Sequence, residues 1–73
     1  MIEDPYKRLA NAIIIQAVTD YKKALRQLNR NDKYEPAIEI KEECEEFFHS
    51  EWFRFLTSLD PDYLLQGIAR LAT

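Results

Sequence analysis

Apolar side chains recur along this chain with the period of a helix, and three Pro residues mark where the period restarts. Ile14, Val18, Tyr21, Leu25 and Leu28 follow one another at spacings of 4, 3, 4 and 3, which holds them on one stripe of a helix. Ala10, Ile13, Ala17 and Ala24 widen that stripe on one flank. The pattern predicts a first helix from Pro5 to about Leu28, roughly 36 Å long and the spine of the fold. The polar run Asn29-Arg30-Asn31-Asp32 then reads as a turn. Ala37, Ile40, Cys44 and Phe47, at spacings of 3, 4 and 3, predict a second helix starting near Pro36. A last helix from Pro61 to about Leu71 places Leu64, Ile68 and Leu71 on one face, with Leu65 and Ala72 beside them.

Between the second and last helices two readings compete. Ser50 is a good N-cap with Glu51 behind it, which predicts a break and a new helix. Phe48, Trp52, Phe55 and Leu59 instead carry a 4, 3, 4 spacing straight through. The break, or a kink, is the expectation adopted.

Each Pro follows an acidic residue, in Asp4-Pro5, Glu35-Pro36 and Asp60-Pro61. Pro loses no hydrogen bond at the first helical position, and an Asp before it caps the free N–H groups. Asp4 and Asp60 are expected caps, and Glu35 a weaker one. No segment alternates with period two, and no Asn-Gly or Asp-Gly hairpin signal occurs. The fold class is therefore all-α: a single domain, residues 1–73, forming a small bundle of three main helices, or four if the middle one breaks near His49-Ser50. The expected core is Ile14, Val18, Leu25, Ile40, Phe47, Phe55, Leu64 and Ile68.

Composition narrows the function classes. Hydrophobic residues make up 47% and charged residues 32% of the 73, the mix of a folded globular domain. The longest apolar run, Ala12 to Ile15, is too short to span a bilayer. The acidic start Met1-Ile2-Glu3-Asp4 differs from the basic start of a secretory signal. One Gly excludes a Gly-rich phosphate loop, and one Cys and one His exclude a disulfide framework and a self-contained zinc site. The lone thiol fits a reducing cytoplasm.

The net charge of -3 hides an asymmetry: seven basic and four acidic residues precede Glu35, and three basic and nine acidic follow from it. The simplest expectation is weak pairing between neighbouring helices; the alternative is a bipolar surface that steers a charged partner. Lys22, Lys23, Arg26, Arg30 and Lys33 crowd the end of the first helix and its turn. Glu35, Glu39, Glu43 and Glu46 form an acidic row on the second.

Five of the nine aromatic residues fall within Phe47 to Phe55. A helix cannot turn all five onto one stripe. Phe47, Phe48 and Phe55 are expected in the core, whereas Trp52 and Phe53 are equally suited to an exposed interface anchor. Ile15 lies off the main stripe, among Asn11, Thr19 and Lys22, and suggests cover by the fourth segment or by a second copy of the chain. Glu46-x-x-His49 has the spacing of one half of a helical di-iron site, but the remaining ligands are missing, so no metal or cofactor is expected. Cys44 sits on the apolar stripe and reads as a small core residue. A helix-turn-helix over Ser50 to Leu71 is disfavoured, because Asp60 and Asp62 stand where a DNA reader needs cations.

The pattern Phe47-Phe48-x-Ser50-x-Trp52-Phe53, followed by Leu56-Thr57-x-Leu59-Asp60-x-x-Tyr63-Leu64, resembles small uncharacterised helical proteins of phages and integrative mobile elements in Gram-positive bacteria. Those proteins commonly carry Gly where Pro61 stands here. The resemblance implies a cytoplasmic accessory role exerted by binding another protein, in regulation or counter-defence. Sequence and resemblance together lead to a non-enzymatic interaction module with a protein partner, a second copy being one candidate. Its expected contact residues are Ile15, Trp52, Phe53, Glu39, Glu43 and Glu46. The alternative is a nucleic-acid-associated regulator using Lys22, Lys23, Arg26, Arg30 and Lys33, a reading that the net negative charge disfavours.

Overall fold

A computed structural model describes residues 4–72; the acidic start at Met1–Glu3, Thr73 and the side chain of Ala72 lie outside the described residues. Among the described residues four helices follow in order: α1 (Pro5–Arg30), α2 (Glu35–Phe48), α3 (Glu51–Leu56) and α4 (Pro61–Ala72). There is no strand among the described residues, and none of the described helices is long and apolar enough to cross a membrane. The fold is the expected all-α bundle.

The helix ends follow from local chemistry. Asp4 Oδ1 accepts from Tyr6 N at 3.0 Å and caps α1. Asn31 closes that helix by donating its N–H to Gln27 O at 3.0 Å, and its Oδ1 accepts from Lys33 N at 3.1 Å to shape the turn. Asp60 Oδ1 accepts from Asp62 N at 3.0 Å at the start of α4. At α2 the expectation fails by one position. Tyr34 is the capping residue and makes no side-chain cap bond, while Glu35 lies inside the helix, where its carboxylate favours the positive end of the dipole.

Ser50 resolves the ambiguity in the middle of the chain. Its Oγ donates to Phe47 O at 2.6 Å and accepts from Phe53 N at 3.2 Å. One hydroxyl thus ties off α2 and opens α3. The break resets the helical phase, which overturns one expected core position and decides between the two readings of Phe53. Phe53 turns inward and is 1% exposed, whereas Phe55 is 78% exposed. The continuous spacing through Trp52 and Phe55 holds only for an unbroken helix.

On α2 the buried positions are Ala37, Cys44 and Phe48, and half-buried Lys41 completes their stripe. Its stem covers apolar surface while its ammonium reaches Glu45 Oε2 at 3.0 Å. A charged residue on the inner stripe shifts the apparent apolar period by one residue, so Ile40, expected in the core, lies at its edge and is exposed. Ile14 and Ile68 are buried as expected; Val18, Leu25, Phe47 and Leu64 pack half-buried against them. Phe48 and Phe53 form the aromatic plug, ring centroids 5.4 Å apart and edge-on at 82°, and Tyr21 meets Phe48 at 6.1 Å.

Tyr21 also carries a polar link between α1 and α2. Its hydroxyl donates to Glu45 Oε2 at 2.9 Å. Burial first, and then that carboxylate, push the phenol up to about 12. Burial raises the Glu45 carboxyl, but hydrogen bonds from Lys41 and Tyr21 outweigh it and hold the group below its ordinary value.

Candidate functional site

Along α1, residues 12, 13, 16, 17 and 20 share one side of the helix. They face Glu43, Cys44 and Phe47 of α2 and Trp52 of α3 across an open groove of about 420 Å³. Its floor is apolar: Ala12, Ile13, Ala17, Cys44 and Phe47. Two alanines make a depression where larger side chains would fill it. Trp52 walls one end, 56% exposed, with its ring edge-on to Phe47 at a centroid distance of 5.7 Å. Carboxylates stand at the rim. Asp20 accepts from Gln16 Nε2 at 3.0 Å, and Glu43 is exposed beside it.

Cys44 contributes its side chain to the floor. It is buried, and its Sγ donates to Ala17 O at 3.7 Å. Burial first, and then the carboxylates of Asp20, Glu43 and Glu45, raise its thiol pKa. The thiol form dominates at neutral pH, so Cys44 is a poor nucleophile.

The structure sorts the residues expected from sequence. Trp52 and Glu43 meet at the groove. Phe53 does not join them, because it is buried as part of the aromatic plug. Glu46 lies toward the end of α2, where it lines a second depression with Glu42, Glu45 and His49. Glu39 is exposed and lines neither depression. Ile15 is 64% exposed, but it points about 160° around α1 from Ile13, so it forms no common patch with Trp52. Lys22, Arg26 and Arg30 do share a side of α1, at successive turns; Lys22 is half-buried, and Lys23, Arg26, Arg30 and Lys33 are exposed.

Both ring nitrogens of His49 are engaged. Nδ1 lies 2.9 Å from Glu45 O and Nε2 lies 2.9 Å from Asp62 Oδ1. Two acceptors face the ring, so the doubly protonated imidazolium satisfies the geometry best. The Asp62 hydrogen bond, followed by the Glu45 carbonyl, raises the His49 pKa. His49 therefore clasps the end of α2 to the start of α4. Among the described residues no group of three or more His, Cys, Asp or Glu side chains is arranged to hold a metal ion. The helix-turn-helix geometry fails on length, since α3 ends at Leu56 after six residues.

Ala12, Gln16 and Asp20 carry no periodic signal that marks them as a site. The hint in the sequence is the run of small residues flanking the α1 stripe. No family model matches the chain, and no curated protein or solved structure shows significant similarity to it.

Proposed function

We propose that this chain is a non-enzymatic interaction module, an accessory protein of a phage or mobile element, that docks a protein partner in the groove between α1, α2 and α3. One observation carries the reading: a groove of about 420 Å³ with an apolar floor is lined by a Trp that is more than half exposed. Exposed Trp beside an apolar depression is the composition of an interface hot spot. The protonated thiol of Cys44 and the doubly engaged ring of His49 favour binding over catalysis. The phage or mobile-element setting, the regulatory or counter-defence role and the reducing cytoplasm rest on the resemblance in residues 47–64 and on the free thiol.

Site-specific photocrosslinking tests the reading. A benzophenone side chain is placed at Gln16, and separately at Arg26, in cells that carry the protein. The Gln16 position should yield a protein adduct; that protein, purified, should bind the wild-type chain and lose at least about tenfold in affinity with Trp52→Glu. Adducts from Arg26 alone, or binding indifferent to Trp52→Glu, would overturn it. A second reading has its own observation, the basic side formed by Lys22, Arg26 and Arg30. It requires DNA or RNA binding that weakens steeply with salt and is lost in Arg26→Glu.

A further inference from the structure

The groove also specifies what kind of partner fits it. Besides the Cys44 thiol, already bonded to Ala17 O, the polar groups along it are the side chains of Gln16, Asp20 and Glu43 and the indole N–H of Trp52, all on exposed or half-buried residues. An extended peptide laid on the floor would bury backbone N–H and C=O groups against Ala12, Ile13 and Ala17 with nothing to bond them, and each such group costs about 1–3 kcal/mol. A helix brings its backbone already satisfied. The stretch from Ile13 to Asp20 is about 10 Å long, two turns of helix. Tyr6 and Leu9, both exposed, continue the same side of α1 at spacings of 3 and 4 toward Ile13, which extends the apolar track to about four turns.

Charge selects among helices. Two carboxylates and no cation line the groove, and the row of Glu residues on α2 adds to the negative potential. A second copy is a poor occupant. Joining two such grooves about a two-fold axis leaves the Asp20 and Glu43 carboxylates of both copies in one interface with no groove cation to pair them. The chain's own basic side, Lys22, Arg26 and Arg30, offers Ile15 as its one exposed large apolar neighbour at helical spacing on α1, since Val18 and Leu25 are half-buried against the core.

We propose that the occupant is a cationic amphipathic helix of a partner protein, with apolar side chains at i, i+3 or i+4 and i+7 packed on Ile13, Ala17 and Trp52, and Lys or Arg flanking them to meet Asp20 and Glu43. This rests on the groove being the docking surface, and it adds the fold and charge of what docks there.

Two synthetic peptides of about 18 residues, five turns of helix, test it. Both carry Leu on one face; one has Lys and the other Glu at the flanking positions, and neither has Trp. Trp52 is the single Trp of the chain, so its emission reports groove occupancy, while anisotropy of the labelled peptides gives affinity. The Lys peptide should shift Trp52 emission to the blue and bind about tenfold more tightly than the Glu peptide at low salt. Added salt should erode that preference, and the Asp20→Asn/Glu43→Gln variant should remove most of it. Equal binding of both peptides, each with the Trp52 shift, would overturn the cationic requirement and leave groove docking standing. Failure of both peptides to move Trp52 in a folded monomer would overturn the amphipathic-helix proposal, with the Gln16 crosslink still able to support a different occupant. A sedimenting dimer that dissociates on Trp52→Ala would replace the partner helix with a second copy.

Discussion

Truncating two phenylalanines two positions apart should have very different consequences, because the Ser50 break decides which one faces the core. Phe53 is 1% exposed and touches the rings of Phe47 and Phe48 at centroid distances of 5.7 and 5.4 Å. Phe53→Ala removes that contact and leaves a cavity, at a cost of about 3–5 kcal/mol. Phe55 is 78% exposed, so it buries roughly 40 Å² and contributes about 1 kcal/mol or less. A chain of 73 residues has a total stability of roughly 4–11 kcal/mol. Phe53→Ala therefore consumes a large share of it, and Phe55→Ala does not. Urea unfolding followed by far-ultraviolet circular dichroism measures both, with Phe53→Leu as a milder truncation if the alanine variant does not fold. In thermal unfolding each kcal/mol should appear as about 4–8 °C. Equal costs at the two positions, or a larger cost at Phe55, would mean that α2 runs on through His49-Ser50 and that the helical phase after Ser50 is wrong.

Tyr21→Phe keeps the ring against Phe48 but removes the bond to Glu45; urea midpoints should report a loss of about 0.5–1.5 kcal/mol, since Glu45 keeps Lys41 and is partly solvated. The same phenol, raised in the folded state to about 12, contributes stability that is complete below its unfolded value and lost as pH rises through the folded one, so wild type should lose its advantage over Tyr21→Phe across that alkaline window. His49 is also raised: its clasp contributes below the ordinary His range, about 6.5, and is lost as pH rises through the higher folded value. The NMR titration midpoint of His49 should fall toward the ordinary value in Asp62→Asn, and an unchanged midpoint would remove the clasp. Ile15→Glu should leave helicity and hydrodynamic size unchanged; a shift in sedimentation would place Ile15 in an interface.

Much of this fold could be read from the chain because its signals are local. A Pro at a helix start, an Asp before it and a Ser at a break act through bonds to residues two or three positions away, and Asp4, Ser50 and Asp60 all behave as their chemistry predicts. What failed depends on relations between elements. The phase of α3 is set by the Ser50 break, so a spacing counted across it exchanged Phe53 for Phe55. Lys41 sits on the inner stripe because its stem packs there and Glu45 holds its head, a pairing invisible to an apolar count, and Ile40 was credited in its place. The groove was the least legible part. Ala12 becomes a floor only once Trp52 stands opposite it, and that placement needs three helices at once. Trp52 and Glu43 were recognisable as exposed chemistry, but nothing in their spacing announced that Ile13, Ala17 and Asp20 complete the surface.

Amide chemical-shift mapping of the isotope-labelled chain, titrated with the Lys-bearing amphipathic peptide, tests groove docking most directly. The shifts should cluster at Ala12, Ile13, Gln16, Ala17, Asp20, Cys44 and Phe47 and at the indole of Trp52, with the outer side of α4 from Tyr63 to Arg70 silent. Shifts centred on Lys22, Arg26 and Arg30, or spread over α4 while the Trp52 indole stays fixed, would contradict it.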